Sequence, residues 1–423
     1  MVSNQRTRTR PKRVVIGLDF GTHSTKCVLR PHSEEPTLLR FPASGQIDER
    51  YASFTDPSLV RLAGDRLFFG RSACRESGGT LYRSLKMQLL PPREASANDG
   101  LEFLRGITPD LLIACYLSRI FSVVNLALKK HYGDQPLRLL WNIGAPMSHF
   151  KELNAALKSR YLEIVNAAWL SVFSQQSAPA TNGMPVSAAI ERFGRLLDAP
   201  IPAPEERFFE VLPETVAPIV SLSQTPQMEP GIYMMLDMGA GTTEFSANLV
   251  TPRGGNQRVT CYFDQTQRIG GDDFERLTRF GGGQQDGIAT LVDRVMKLTK
   301  QTCWTAYDKD RKSQAGRNQW KTLKMQLSGG AARRDIIQDR LRRLLPIKGH
   351  VPGEASFNLD WHEPHLARST GSFKSHSSSL LAVANGLSID RNLWPVVFNP
   401  DEVEQHEGDE VLARPDGHWY VDH

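Results

Sequence analysis

The chain is poor in cysteine, has no long apolar run, and carries neither of the common glycine signatures of nucleotide-binding proteins. Its five cysteines, Cys27, Cys74, Cys115, Cys261 and Cys303, lie far apart in 423 residues, without a CxxC pair or a Cys/His ligand spacing. That pattern excludes a disulfide framework and a zinc ribbon, and suits buried thiols in a reducing cytoplasm. No stretch approaches the roughly 18 apolar residues that span a bilayer, so no membrane association is expected. The opening "MVSNQRTRTRPKR" is basic but lacks the apolar segment of a secretory signal. GxxxxGK[ST] does not occur, which excludes a P-loop. A strand followed by GxGxxG and a downstream acid is also missing, which excludes the usual dinucleotide fingerprint.

What is present is ordinary in bulk. Apolar residues make up 40% and charged residues 23% of the chain, and the length suits two large lobes rather than one core. The net charge of +5 is small for this length. Basic residues concentrate in the first thirteen positions and between Arg333 and Arg343. They read as a frayed tail and a solvated helix face. Aromatic interleaving and a helix-turn-helix pattern are both lacking, so a nucleic-acid partner is not expected.

One local pattern occurs twice. "VVIGLDFGTHSTKCVLR" (14–30) and "IYMMLDMGAGTTEFSANLV" (232–250) both run from an apolar strand into Asp-x-Gly, then Thr or Ser, then a second apolar strand. Between and after them the sequence predicts a hairpin at 58–70, a helix from the Thr108 cap to Gly133, a buried strand at 137–148 and helix at 149–175. A loop follows at 174–187, then a strand turning at Pro213 into a helix ending near 222. The second half continues with a strand at 258–266, a glycine turn opening a helix at "RIGGDDFERLTRF", helix over 288–325, "KMQLSGGAARRDIIQDRLRRLL" as strand, turn and helix, a Ser/His-rich loop at 368–379 and a helix at 380–390. Strand–glycine–helix units in two halves imply an α/β duplication around a cleft.

Glycine lets backbone N–H groups approach an anion closely, and hydroxyls add donors. Gly21, Thr22, Ser24 and Thr25 would form one such nest, and Gly239, Gly241, Thr242 and Thr243 the other. An aspartate beside phosphate needs a hard cation between them, so Asp19 and Asp237 read as Mg²⁺ ligands rather than nucleophiles. Positioning and charge neutralisation then supply most of what phosphoryl transfer requires.

These residues resemble the actin/hexokinase/heat-shock ATPase superfamily, and within it the nucleotide-binding domain of the 70-kDa heat-shock (DnaK-like) chaperones. "IGLDFGTHSTKCVL" and "LDMGAGTTEFSANL" are similar to the two phosphate motifs, "LPETVAPIV" to the connecting segment, "GGDDFERL" to G-G-[ED]-D-F-D, "LSGGAARRDIIQDRL" to the adenosine motif and "LLAVANGLSI" to the closing helix. The resemblance covers 14–390 in family order. It implies a duplicated actin-like (ribonuclease-H-like) α/β fold: a disordered basic tail at 1–12, lobe I at 13–222, lobe II at 223–390, and an acidic extension at 391–423.

It further implies ATP or ADP with Mg²⁺ as ligand, Asp19 and Asp237 around the metal, and Thr22, Gly239, Gly241 and Thr242 on the phosphates. The neighbouring motif residues Gly21, His23, Ser24, Ala240, Thr243 and Gly270 would line the same site. Glu214 would position the attacking water, Glu244 stands where the family usually has Asp, and Gly271 would lie against phosphate or ribose. Gly329 and Gly330 would flatten the adenosine pocket, and Arg333 would stack on adenine. Three departures stand out. Cys74 occupies the place of the family's catalytic lysine, with Arg71 and Arg75 nearby. The stretch between Gly271 and Gly329 is short, without a match to the adenosine-contacting Glu/Lys pattern. Residues 391–423 cannot form a peptide-binding domain. The expectation is a slowly hydrolysing nucleotide switch read by a protein partner. The alternatives are a small-molecule kinase on the same fold, or an actin-like filament former or non-hydrolysing scaffold.

Overall fold

The computed structural model describes residues 11–41, 53–89, 106–150, 154–174, 183–223, 228–253, 256–267, 269–271, 284–313, 322–331, 339, 358–362 and 375–398. Arg333, the helix expected after Gly271, the basic residues of 333–343 and the ends 1–10 and 399–423 lie outside the described residues.

The first half opens with β1 (Lys12–Phe20), β2 (Ser24–Pro31), β3 (Thr37–Leu38), β4 (Asp56–Pro57), β5 (Val60–Ala63), β6 (Arg66–Phe69), α1 (Arg71–Arg75) and β7 (Thr80–Tyr82). It continues through α2 (Pro109–Tyr132), β8 (Leu137–Ala145), α3 (Ala155–Phe173), β9 (Met184–Pro185), α4 (Val186–Leu197), β10 (Phe209–Pro213) and α5 (Ala217–Ser223). The second half has β11 (Gly231–Met238), β12 (Thr243–Arg253), β13 (Asn256–Gln267), α6 (Gln284–Ser313), β14 (Thr322–Ser328), β15 (Asn358–His362), α7 (Ser375–Leu387) and β16 (Val396–Phe398). The fold is mixed α/β.

Two large sheets carry it. The first runs β10-β8-β1-β2-β3, with β4 added beside β2; the second runs β15-β14-β11-β12-β13-β16. Their common part has the same directions. β1 is antiparallel to β2 and parallel to β8, which is parallel to β10; β11 is antiparallel to β12 and parallel to β14, which is parallel to β15. The first strand of each half is therefore central and buried on both faces, which explains its near-continuous apolar sequence. A small third sheet, β7-β5-β6-β9, includes the expected hairpin turning at Gly64-Asp65.

α2 forms where the caps say it should. The Thr108 hydroxyl accepts from Leu111 N–H, Pro109 starts the helix, and Gly133 ends it at φ 59°. Contrary to the sequence reading, α2 is long and apolar enough to cross a membrane, but 83% of its apolar window is buried against the first-half core.

Several boundaries differ from expectation. Lys12 already belongs to β1. α4 begins inside the expected loop, because Ala189 and Phe193 are buried although no side chain caps its start. Residues 322–325 are strand rather than helix, since Leu323 and Met325 enter the core under α6 from one face of β14. α7 starts at Ser375, within the Ser/His-rich stretch, and β16 in the expected C-terminal extension pairs with β13.

α7 belongs to the second half by sequence, yet it packs on β1, β2 and β8 as well as β14. Asn142 of β8 donates to the Leu387 and Ile389 carbonyls at 2.7 and 3.1 Å, and Arg30 of β2 donates to Asn385 Oδ1 at 2.8 Å and Ser388 Oγ at 3.1 Å. α5 and α7 cross between the sheets so closely that a Cβ on Gly386 would come within 1.8 Å of the Ala217 carbonyl oxygen. Val216, Ile219, Val220, Val383 and Leu387 make a separate apolar cluster at this crossing.

Candidate functional site

Asp19 is the next-to-last residue of β1 and Asp237 of β11, so each aspartate ends its central strand at the mouth of a hairpin. Its cross-strand partner is Lys26 in the first hairpin and Glu244 in the second. Side chains directly opposite on an antiparallel pair share a face. The repeated topology thus places a lysine and a glutamate at equivalent positions.

The two bends meet. A Cβ on Gly241 would lie 3.1 Å from the Thr22 methyl, which puts the second bend against the first. Gly270, Gly271 and Gly329 converge on the same place. A Cβ on Gly270 would lie 2.1 Å from Ala240 O, one on Gly271 would touch Ala240 and Ala331, and one on Gly329 would lie 2.3 Å from Asp237 Oδ1. Gly329 also has φ +92°, so this turn requires glycine on conformational grounds as well. Gly330 approaches Leu380 of α7. Gly329 therefore sits against the carboxylate, at the expected phosphate end of the site.

The bends divide their donors differently from the sequence reading. Gly239 N–H donates to Thr242 O at 2.8 Å, and Gly271 N–H to Gly239 O at 3.0 Å, so these amides close the turns. Ala240, Gly241 and Thr242 keep N–H groups without a backbone partner among the described residues. The Thr243 hydroxyl donates to Ile269 O and ties the 269–271 turn to β12. The Thr25 hydroxyl faces away from the bend, into a buried cluster with the Tyr116 hydroxyl at 2.9 Å and the Ser58 hydroxyl at 3.1 Å. Ser24 is buried at the start of β2, while His23 is exposed and its carbonyl accepts from Ser58 N–H.

Four carboxylates and two ammonium groups share the space between the sheets. Lys26 Nζ donates to Asp19 Oδ2 at 2.9 Å, with both side chains about one-tenth exposed. Lys86 Nζ reaches both Glu214 oxygens, at 2.6 and 2.5 Å. Burial alone would lower the Lys86 ammonium pKa, but Glu214, Glu244 and Asp19 together raise it, so the group stays charged. Burial pushes the Asp237 carboxyl up to about 6, with Asp19 adding to the effect and Lys26 opposing it. Burial first, then the neighbouring Glu214, raises Glu244 well above the usual carboxylate range. Among the described residues Glu244 Oε2 is buried without a hydrogen-bond partner. Residues from both halves thus act on one another electrostatically.

Neither lysine figured in the sequence reading. The stretch holding Cys74 is α1, where Arg71 donates to the Thr55 carbonyl; the cation that reaches Glu214 is Lys86, from the 3-10 turn Leu85–Leu89. That turn is pinned by its neighbours. His149 Nε2 lies 2.6 Å from Leu89 O, and Arg160 donates to Gln88 O at 3.1 Å while pairing with Asp110. Lys86 gave no signal in sequence, because Leu85, Met87 and Leu89 around it become buried only in the fold. For Lys26 the signal was its hairpin register opposite Asp19.

Among the described residues no group of three or more His, Cys, Asp or Glu is arranged to hold a metal ion. Lys26 pairs with one Asp19 oxygen, Oδ2, and the site holds more carboxylates than ammonium groups, so the donor set of Asp19 and Asp237 fits a hydrated cation. No protein-family model matches the chain, and no curated protein is significantly similar to it.

Proposed function

We propose that the chain binds a nucleoside triphosphate, ATP, between the two Asp-Gly bends, and is a slowly hydrolysing conformational switch of the heat-shock-70-kDa type. The observation that carries this reading is the meeting of the bends, Thr22 against Gly241, above a buried cluster of Asp19, Asp237, Glu214, Glu244, Lys26 and Lys86. The repeated strand order of the two sheets supports assigning both halves to a duplicated actin-like, ribonuclease-H-like fold, with the nucleotide between them.

In this reading the Ala240–Thr242 amides and the Thr22 hydroxyl hold phosphate oxygens, as donors that glycine-rich bends leave exposed to an anion. Glu214 orients a water for in-line attack, and Lys86 offsets charge that develops on the transferred phosphoryl group. Lys86 thereby fills the part left open by Cys74. Closure of the halves would turn about the α5–α7 crossing, and a protein partner would read their angle. The kinase alternative needs a carboxylate base near the end of β8; Gly144-Ala145-Pro146 itself supplies none, and Glu214, whose N–H donates to Ala145 O, is the carboxylate beside it.

The test is binding of ATP, ADP and GTP by calorimetry and thermal shift, alongside phosphate release. ATP should raise the melting temperature of the wild type, and Asp237→Ala or Thr242→Ala should abolish that rise. A melting temperature unmoved by ATP in the wild type would refute the reading.

A further inference from the structure

Each bend is tied from behind by a threonine at the same register. Thr25 stands opposite Phe20 in the first hairpin and Thr243 opposite Met238 in the second, each one position beyond the aspartate's own pair. Both threonines are fully buried. The Thr243 hydroxyl reaches the Ile269 carbonyl and so fixes the second bend to the turn at 269–271. Thr25 is tied through a larger assembly. Its hydroxyl lies 2.9 Å from the Tyr116 hydroxyl of α2 and 3.1 Å from the Ser58 hydroxyl. The Tyr116 hydroxyl also lies 3.2 Å from Asp56 Oδ2. Arg119, a turn further along α2, donates to both Asp56 oxygens, at 2.6 and 3.1 Å.

This assembly is withdrawn from water: Asp56, Ser58 and Tyr116 are 0% and Arg119 5% exposed. The backbone joins it to the bend as well. β4 pairs with β2 at Ser24 and Thr25, and Ser58 N–H donates to the His23 carbonyl at 2.9 Å. Gly70 closes the enclosure, since a Cβ there would lie 2.2 Å from Asp56 Oδ2 and 2.8 Å from Arg119 Nη1. A bidentate arginine–carboxylate pair fixes geometry as well as adding energy.

We propose that Tyr116, Asp56 and Arg119 are positioning residues of the first bend, setting through Thr25 where Thr22 meets the phosphates. This rests on the nucleotide reading above. A hydrogen bond to phosphate weakens steeply with length and angle, so a bend free to shift gives up affinity without losing any contacting group. Tyr116→Phe probes this cleanly. The ring stays against Phe20, with centroids 5.7 Å apart, while Asp56 keeps Arg119 and Thr25 keeps Ser58.

The experiment is calorimetric titration of the full chain with ATP and Mg²⁺, with the melting temperature of each variant recorded so that only folded protein is titrated. The variants are Tyr116→Phe, Thr25→Val and, as control, Phe121→Leu, a core change on α2 where it packs on Trp141. Tyr116→Phe and Thr25→Val should each lose about tenfold in affinity, and the control should stay within about twofold of wild type. In a Thr22→Val background Tyr116→Phe should cost less than about threefold, because the contact it aims is already gone. Should Tyr116→Phe not fold, the same cycle with Thr25→Val decides, since a direct phosphate contact would add to Thr22→Val and a positioning one would not. Tyr116→Phe that folds and binds like wild type overturns the proposal. So does a loss shared by the control, or one undiminished by Thr22→Val. Absence of wild-type ATP binding overturns the nucleotide reading itself, and this proposal with it.

Discussion

Lys86 and Glu214 meet at the bottom of the site from segments far apart in sequence, with side chains 10% and 3% exposed. A buried pair of this kind adds little over an apolar replacement, but removing one partner leaves a charge with nothing to offset its desolvation. Lys86→Met should therefore cost about 3–5 kcal/mol of stability, while Lys86→Met/Glu214→Gln should recover most of that loss. Urea unfolding of the two variants checks this; a Lys86→Met protein as stable as wild type would contradict the burial of the pair. At this scale the aspartates, Thr22 and the glycines of both bends were legible, because a tight turn between apolar strands announces itself within a few residues. Lys86 was not. Nothing near it in sequence says that the surrounding leucines and methionine turn it towards Glu214 rather than solvent.

Among the elements, the crossing of α5 and α7 is the tightest contact between the sheets. Gly386 lies against the Ala217 backbone, which cannot move aside as a flexible side chain would. Gly386→Ala should cost about 1–3 kcal/mol or more through overpacking, despite the better helix propensity of alanine. Gly194 on α4 is the control, since a Cβ there meets nothing within 4 Å and the position is exposed. Gly194→Ala should stabilise by about 0.5–1 kcal/mol. Denaturant midpoints for both variants decide the matter; equal and small shifts would mean that the helices do not cross so closely. Elements with local caps were readable from sequence, α2 above all. α4 and the start of α7 were not, because neither has a strong start signal and both take their stability from packing.

For the whole molecule, the question is what joins the two halves. Asn142, in the centre of the first sheet, is 4% exposed and spends both of its donor bonds on the end of α7, and Arg30 holds Asn385 from the neighbouring strand. α7 also packs on β14, so one helix touches both sheets. Asn142→Leu leaves the Leu387 and Ile389 carbonyls without that donor and should weaken the join more than either half. Calorimetry should then resolve two unfolding transitions where the wild type gives one; a single transition, merely shifted, would show that the halves are coupled elsewhere.

What the residues in order determined alone was local and repeated: two Asp-Gly hairpins on apolar strands, the helices with caps, and the α/β alternation in each half. Those follow from short-range sterics and periodicity, which any few neighbouring residues express. Which charges oppose which was decided by the tertiary structure, through hairpin register for Lys26, a buried 3-10 turn for Lys86, and the packing of α7 on a sheet it does not follow in sequence. Burial and distance set the strength of a charge, and neither exists until the chain has closed on itself.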